Sequence, residues 1–277
     1  MTGAGWFDTH QHLGDLKGVP GARSATATMA DDMSTRIAFM DRFGIAACAI
    51  MPGHSYSAPR GAQDVAAIND RLLAYRAMMP VRFPVIAGTV DPRHGKAAVA
   101  EVERVQGLGM QALSWHHRMQ GLPMDHRQMV EIVGRMAALD MVAMVHCYAH
   151  GDFEAPWRLG RLAAAFPDMR FIALDTMTSP ENLEQLTEVV RRHPNVRLDL
   201  TSSVLGVDGV RRCIDQIGAE RLLFGTNYYS MGSPDSLEEQ SLLAAAGLSD
   251  SECAQITRDN AHRLFGLCPM ARAGGEG

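Results

Sequence analysis

Two histidines at the end of one short apolar segment are the residues in this sequence best suited to chemistry. Residues 8–12 read Asp-Thr-His-Gln-His, so one residue separates His10 from His12. In a regular strand, residues spaced by two point to the same side, and Asp8 would share it. Two imidazoles on one side of a strand can bind one divalent metal ion. A third histidine, His146, ends another apolar segment and can complete a three-nitrogen site if the fold brings both segments together.

Short apolar segments and helical patterns alternate along the whole chain, and this alternation predicts how the histidines are positioned. Eight segments are too short for helices and largely apolar throughout, which is typical of parallel strands buried on both faces. These strands are predicted at Trp6–His10, Ile45–Met51, Phe83–Val90, Met110–Trp115, Met141–Cys147, Arg170–Asp175, Val196–Thr201 and Arg221–Thr226. Helices are predicted at Met33–Phe43, Asp64–Met79, Lys96–Leu108, Asp125–Leu139, Glu154–Phe166, Pro180–His193, Val207–Ile217, Leu237–Ala246 and Asp250–Phe265. Eight successive strand–helix units predict a single TIM (β/α)8 barrel. A doubly wound sheet is the alternative, but no glycine-rich phosphate loop follows any strand.

The length and the connections indicate one domain. The chain has 277 residues and a mass of 30.1 kDa, which suits a barrel of about 250 residues. We assign residues 1–268 to the barrel and predict a disordered tail at residues 269–277. The longest connection, Leu13–Asp32, is rich in glycine, alanine and threonine. We predict that it forms a mobile lid over the barrel mouth.

Composition excludes several functional classes. The net charge of −5 and the pI of about 6.1 argue against nucleic-acid binding. No apolar run reaches the roughly 18 residues of a membrane span, and residues 1–12 carry charges and histidines where a signal peptide would be apolar. The five cysteines are scattered and odd in number, so we expect reduced thiols and a cytoplasmic protein.

Further candidate residues follow the predicted strands, because the functional side chains of a TIM barrel stand at the carboxyl ends of its strands. The candidate substrate-binding residues are His54, Trp115, His116, His117, Tyr148 and Tyr228. His116, His117 and Arg118 can receive a carboxylate or phenolate, with Trp115 as an apolar wall. A mouth rich in histidine, tyrosine and tryptophan but poor in lysine suits a small aromatic or unsaturated substrate better than a phosphorylated one.

The order of these motifs resembles that of a known family. The segments in question are Asp-x-His-x-His at 8–12, the strand-five His146, Arg-Leu-Leu-Phe-Gly-Thr-Asn at 221–227 and Asn-Ala-His-Arg-Leu-Phe-Gly-Leu at 260–267. Together they resemble the amidohydrolase-related metal-dependent hydrolases over nearly the whole chain. The similarity is greatest to the branch that holds aminocarboxymuconate-semialdehyde decarboxylase, resorcylate-type decarboxylases and pyrone-dicarboxylate lactonase. The resemblance implies a zinc-like ion held by the first-strand pair and the strand-five histidine, an assisting strand-six histidine, a strand-eight aspartate as ligand or base, and a homodimer.

The sequence departs from that pattern at two positions. Asp175 stands where the strand-six histidine is expected, and Asn227 stands where the strand-eight aspartate is expected. An amide oxygen is a poorer metal ligand than a carboxylate and cannot accept a proton as a general base. Asp175 returns one carboxylate to the mouth, as fourth ligand or as replacement base. The alternative is a decayed site in which Asp175 only holds a neighbouring side chain.

Three functions remain open from the sequence. The first is hydrolysis of an amide, lactone or related bond by a metal-activated water, with the ion on His10, His12, His146 and Asp175. In this hypothesis Asp175, Asn227 and His146 are the catalytic residues, Asp175 as base and Asn227 orienting a substrate oxygen. The second is non-oxidative decarboxylation of an aromatic or muconate-like acid. The third is a metal-free lactonase-like enzyme or a silent ligand-binding barrel. We expect zinc as the ion, a small-molecule substrate, and His10 and His12 at an exposed mouth.

Overall fold

Eight parallel strands form a closed barrel in the computed structural model, which describes residues 5–13, 28–53, 56, 60–201, 204–228 and 237–267. The strands follow one another around the barrel in chain order. They are β1 Trp6–Leu13, β2 Ile45–Pro52, β3 Val85–Gly88, β4 Ala112–Trp115, β5 Val142–His146, β6 Arg170–Leu174, β7 Val196–Asp199 and β8 Leu222–Leu223. The last strand returns to the first, because the Thr9 amide donates to the Phe224 carbonyl at 2.9 Å. The predicted TIM barrel is confirmed.

Helices connect the strands at the predicted places. They are α1 Met29–Arg42, α2 Ala62–Met78, α3 Lys96–Gly107, α4 His117–Gln120, α5 Arg127–Ala138, α6 Pro156–Ala165, α7 Pro180–Arg192, α8 Gly206–Ile217, α9 Glu238–Ala245, α10 Asp250–Ala254 and α11 Asn260–Phe265, with a π-helical turn at Gln255–Asp259. Helix α1 begins four residues earlier than predicted, because Thr28 and Asp31 cap it reciprocally. Among the described residues, no helix is long and apolar enough to cross a membrane.

Several predictions made from the sequence lie outside the described residues. Residues 14–27 of the predicted lid are among them, together with His54 and the predicted tail at 269–277. The four described cysteines are free, as expected.

The barrel interior is packed with small and medium side chains. The inward-facing residues include Phe7, Ala47, Ala49, Val85, Ala87, Ala112, Val142, Met144, Ile172 and Leu223. Helix α11 closes the amino-terminal end of the barrel, where Phe265 packs at 6.1 Å from Phe7. A packed interior that is sealed at one end leaves the carboxyl ends of the strands as the open mouth.

A β-bulge in β1 decides which of its side chains face the interior. Asp8 pairs with Cys48 but Gln11 pairs with Ile50, so β1 carries one extra residue between them. The extra residue shifts the alternation, so His10 and His12 face inward while Asp8 faces outward. The Asp8 carboxylate accepts hydrogen bonds from the Thr226 amide and hydroxyl at 3.0 and 2.6 Å. The prediction that Asp8 shares the side of the two histidines was therefore wrong.

A fully buried arginine on α1 fixes the end of β1. Arg36 donates to the His12 carbonyl at 2.7 Å and to the Gln11 side chain at 2.9 Å. Its guanidinium lies 4.6 Å from the Tyr228 ring centroid, and that ring also packs at 4.6 Å against Phe39. Tyr228 is only 1% exposed. The structure places the ring under α1, packed on Arg36 and Phe39, instead of at the exposed rim that the sequence predicted.

Candidate metal centre and active site

Three histidine side chains from opposite sides of the barrel meet at its mouth. His10 and His12 come from β1 and His146 ends β5, and one ring nitrogen of each lies within 4.8 Å of the others. The Nε2 atoms of His10 and His12 are 3.0 Å apart. All three side chains are buried, at 2% exposure or less. The structure therefore brings the predicted ligand set together but corrects the expectation that His10 and His12 are exposed.

The second nitrogen of each histidine is held by an acceptor on the protein. Nδ1 of His10 contacts Asp199 Oδ2 at 2.7 Å, Nδ1 of His12 contacts the Pro52 carbonyl at 2.6 Å, and Nδ1 of His146 contacts the Trp115 carbonyl at 2.8 Å. Because each acceptor requires a proton on Nδ1, the Nε2 atoms are left to coordinate.

The two nitrogens from β1 have the spacing of ligands to one divalent ion, whereas the whole set spans up to 4.8 Å, so the His146 side chain has to approach the pair for all three nitrogens to bind. Two nitrogens bound tetrahedrally to one zinc ion are about 3.3 Å apart, close to the 3.0 Å between the Nε2 atoms of His10 and His12. Burial and the nearby charge of His116 lower the pKa of His146 to about 3. Burial and the charges of His10 and His146 likewise hold the pKa of His12 well below its ordinary value. Neutral imidazoles are the form that coordinates metal.

His10 differs from the other two histidines because of a buried carboxylate. Burial is the largest single influence on His10 and lowers its pKa, but the charge and hydrogen bond of Asp199, together with the charges of Asp175 and Asp8, outweigh burial and raise it. A raised pKa means that a proton on His10 competes with a metal ion for the ring nitrogens more strongly than at His12 or His146.

Asp199 connects the three-histidine group, which we call the triad, to Asp175. Its Oδ1 accepts hydrogen bonds from the Asp175 amide at 3.1 Å and from the Thr201 hydroxyl at 2.7 Å, while Oδ2 holds His10. Gly225 makes this approach possible, since a Cβ there would lie 2.9 Å from Asp199 Oδ2 and 3.0 Å from the Cβ of His10. Sequence reasoning missed Asp199, because a single aspartate near a strand end has no distinguishing pattern.

We expect Asp199→Asn to weaken divalent-metal binding by roughly 10- to 100-fold, the usual effect of losing a partner behind a ligand histidine. The amide keeps the size and an acceptor oxygen but removes the charge that favours a well-oriented His10. Calorimetric titration of the metal-free protein with zinc measures the affinity. Asp152→Asn is the matched control, because that carboxylate is 71% exposed and pairs with Arg158. Equal affinities in both variants would contradict the role of Asp199.

The two positions that depart from the family pattern touch each other. The Asn227 side-chain amide donates to Asp175 Oδ1 at 2.8 Å, and the Tyr148 hydroxyl donates to Asp175 Oδ2. Both residues have left-handed backbones, with φ of 58° at Asp175 and 50° at Asn227. Aspartate and asparagine tolerate this conformation better than most residues, and such strain clusters at functional sites. Because the two side chains are directly hydrogen-bonded, we interpret the two departures from the family pattern as one coupled change.

Asp175 lies beside the triad with both carboxylate oxygens engaged. Its Oδ2 is 4.0 Å from His146 Nε2. Burial raises the pKa of Asp175, but the charges of His10 and His146 and the Tyr148 hydrogen bond outweigh burial and lower it.

Asn227 brings a hydrogen-bond acceptor to the site. Its Oδ1 is buried and has no hydrogen-bond partner among the described residues.

Flat rings form one wall of the site next to the triad. The His116 ring is parallel to that of His146, with centroids 4.4 Å apart, and Tyr148 is parallel to His116 at 6.0 Å. Tyr56 stands edge-on to His116 and His146 at 5.9 and 5.8 Å. Its hydroxyl hydrogen-bonds the Ser114 hydroxyl at 2.9 Å. Tyr56 was not a sequence candidate, because no pattern marks a lone tyrosine within a connection.

Trp115 and His117 are not placed as predicted. Residues alternate along β4, so Ser114 and His116 face the interior while Trp115 faces the helices. The Trp115 indole is fully buried and donates to the Val90 carbonyl at 3.0 Å, and the His117 ring stacks over it at 6.4 Å. Neither residue forms a wall for substrate, so these two substrate-binding predictions were wrong.

The comparisons with known proteins agree with this geometry. A family model described as Amidohydrolase matches residues 7–267, which is almost the whole barrel. The chain belongs to the amidohydrolase family. The resemblance that the sequence motifs indicate is thereby confirmed, and the protein is an enzyme. No curated protein is similar enough in sequence to be matched.

Several solved structures share the fold of this protein. A 5-carboxyvanillate decarboxylase from Sphingomonas paucimobilis is 16% identical, with a TM-score of 0.71 over 95% of this chain and 99% of that one. A dihydroxybenzoic acid decarboxylase from a Polaromonas species, with bound manganese and the inhibitor 2-nitroresorcinol, is 18% identical, with a TM-score of 0.74 over 95% and 97%. A 5-carboxyvanillate decarboxylase from Novosphingobium aromaticivorans, with manganese and 4-hydroxy-3-methoxy-5-nitrobenzoic acid, is 16% identical, with a TM-score of 0.71 over 96% and 97%.

Proposed function

We propose that this member of the amidohydrolase family is a metal-dependent, non-oxidative decarboxylase of a small aromatic hydroxy acid. The observation that carries the proposal is the pair of parallel rings, His116 and Tyr148, that extends from His146 of the triad. A flat ring packed along such a wall would present its acidic end to three convergent nitrogens. Because these rings stack on one another, a substrate ring along the wall meets their edges, and aromatic pairs also favour this edge-to-face arrangement at centroid distances of about 4.5–7 Å.

The solved neighbours support decarboxylation over the hydrolysis that the sequence placed first. The three described above are all decarboxylases of aromatic acids, and two of them hold manganese with a nitro-aromatic compound. Their identities to this chain are low, so they support the reaction class as a proposal and leave the acid itself open.

We propose that His10, His12 and His146 hold the divalent ion. Imidazoles suit zinc, whereas manganese prefers carboxylate and other oxygen ligands. Because the ligand group that the described part of the chain offers consists of histidines alone, we favour zinc over the manganese of the neighbours. When bound, such an ion supplies a Lewis acid that orients the carboxylate and an adjacent oxygen of the substrate and stabilises developing negative charge.

Asn227 and Asp175 have separate roles in the proposed reaction. The buried Oδ1 of Asn227, which has no described partner, accepts a hydrogen bond from the hydroxyl group of the substrate. Asp175, which is ionised in the free site, takes up a proton from solvent water and passes it to the ring carbon as the bond to the carboxylate breaks and CO2 leaves. The Tyr148 and Asn227 hydrogen bonds hold its two oxygens in place, which fixes the direction of that transfer.

Hydrolysis of an amide or lactone is the second candidate, and one observation favours it. The Asp175 carboxylate lies 4.0 Å from His146 Nε2, within reach of a water molecule at the triad. In this alternative Asp175 takes a proton from water instead of delivering one to carbon. The homodimer and the cytoplasmic location remain predictions from the sequence.

A substrate panel separates the two reactions. We expect the zinc-loaded protein to release CO2 from at least one ortho-hydroxybenzoic acid, a release that stops when a chelator removes the ion. Salicylate, 2,3- and 2,6-dihydroxybenzoate and 4-hydroxyisophthalate form the acid panel, and phenyl esters, aryl lactones and anilides form the hydrolysis panel. Turnover confined to the second panel would replace the proposal by hydrolysis. A protein that binds no metal would support the metal-free alternative.

A further inference from the structure

Arg118 is a cation at the mouth that neither the triad nor the proposed proton transfer uses. It lies in α4, directly after the carboxyl end of β4, and its side chain is 53% exposed. His116 separates it from the triad, since Arg118 Nη2 is 3.3 Å from His116 Nε2 and the His116 ring stacks on His146. Arg118 therefore lies at the end of the wall formed by the His116 and Tyr148 rings that is remote from the triad.

The Arg118 guanidinium is fixed in orientation. Its Cζ atom lies 4.8 Å from the centroid of the Tyr148 ring, and the Tyr148 hydroxyl donates a hydrogen bond to Asp175. Guanidinium groups stack on aromatic faces and keep their N–H edges free for bidentate recognition of carboxylates. Because the Tyr148 ring already restrains the guanidinium, binding an anion costs little additional side-chain entropy.

The nearby carboxylate does not neutralise Arg118 through a hydrogen bond. Glu154 Oε1 is occupied by His116 Nδ1 at 2.5 Å and by the Arg118 backbone amide at 3.1 Å. Its Oε2 is 3.8 Å from Arg118 Nε, which is too long for a hydrogen bond. Glu154 thus holds the loop and His116. One Nη2 hydrogen of Arg118 is used in the 3.3 Å hydrogen bond to His116 Nε2, and the remaining N–H groups belong to a side chain that is 53% exposed.

We infer that Arg118 is a specificity-determining residue that binds a second acidic group of the substrate, at the end remote from the triad. The substrate class is then an aromatic acid with two anionic groups, one held at the histidines and one at Arg118. This inference rests on the proposed function for the identity of the site, but it concerns binding and does not require decarboxylation.

Calorimetric titration with two unreactive probes tests the inference. Benzoate carries one carboxylate and isophthalate carries two, and both are titrated into the zinc-loaded protein. We expect isophthalate to bind wild type more tightly than benzoate. Arg118→Met should weaken isophthalate by roughly 10- to 100-fold, which is the range for one charge-assisted hydrogen-bonded pair, and benzoate by less than about 2-fold. Arg118→Lys keeps the charge but loses the planar fork, so it should restore only part of the affinity.

Arg135→Met is the matched control, because Arg135 forms a surface ion pair with Glu103 on the outer helices. It should leave both probes unaffected. An equal loss of both probes in Arg118→Met would show a structural role, and an unchanged isophthalate affinity would show that Arg118 does not contact substrate. Either result overturns the inference. A diacid preference that depends on Arg118 would stand even if the CO2 assay fails, so the two proposals fail separately.

Discussion

Replacing His12 by asparagine is expected to abolish metal-dependent turnover, with a loss of about 10³-fold or more. A bound ion contributes several kcal/mol to stabilising charge in the transition state, and each 1.36 kcal/mol corresponds to a factor of ten in rate. His12 is the suitable triad member for this test because its Nδ1 partner is the neutral Pro52 carbonyl. An asparagine amide can still donate to that carbonyl, so the fold should persist.

The choice of position follows from the burial of the triad. Changing His10 would leave the Asp199 carboxylate buried without its 2.7 Å partner, which typically destabilises a protein by about 1–3 kcal/mol or more. His193→Asn is the matched control, because His193 ends α7 at the opposite face of the barrel. Zinc content, melting temperature and turnover are measured together. A His12→Asn enzyme that keeps its zinc and its rate would refute the assignment of the triad.

Asp175→Asn is expected to lower the rate by roughly 10²–10⁴, the contribution of a positioned proton-transfer group. The substitution keeps the shape and an oxygen that can accept from Asn227 or Tyr148, so metal content and melting temperature should change little. Steady-state rates on the best substrate of the panel measure the effect. A rate within about 3-fold of wild type would leave Asp175 with a structural role only.

The companion variant Asn227→Asp tests whether the two departures from the family pattern act together. It replaces the donor of the 2.8 Å hydrogen bond to Asp175 Oδ1 by a second carboxylate. Two like charges in contact push one of them towards its protonated form. We expect a slower enzyme, even if the added charge strengthens metal binding. A faster Asn227→Asp enzyme together with a harmless Asp175→Asn would show that Asn227 is a decayed ligand.

The fold and the triad could be predicted because both follow regular patterns. Each buried parallel strand produces an apolar run of distinctive length, and successive strand–helix units permit few architectures. His10, His12 and His146 stand at strand ends, which a TIM barrel gathers at one mouth. Once eight strands are placed, the meeting of the three histidines requires no further information.

The surroundings of the triad could not be predicted, because they depend on packing and on local irregularity. The bulge in β1 reverses the side on which Asp8 lies, and no turn residue marks it in the sequence. Alternation along β4 points His116 into the barrel and Trp115 towards the helices. Listing the residues near the predicted mouth does not show which of them face the interior. Tyr228 lies under α1 only because Arg36 and Phe39 pack on it.

Solvent deuterium incorporation tests the central claim most directly. With the best acid of the panel, the zinc-loaded enzyme in D2O should place one deuteron at the ring carbon that loses CO2, with one CO2 released per product. Proton NMR of the product and carbonate analysis measure both, and chelation should stop both. A product that keeps its carboxyl group, or CO2 release that continues after the ion is removed, would contradict a metal-dependent decarboxylase built on His10, His12 and His146.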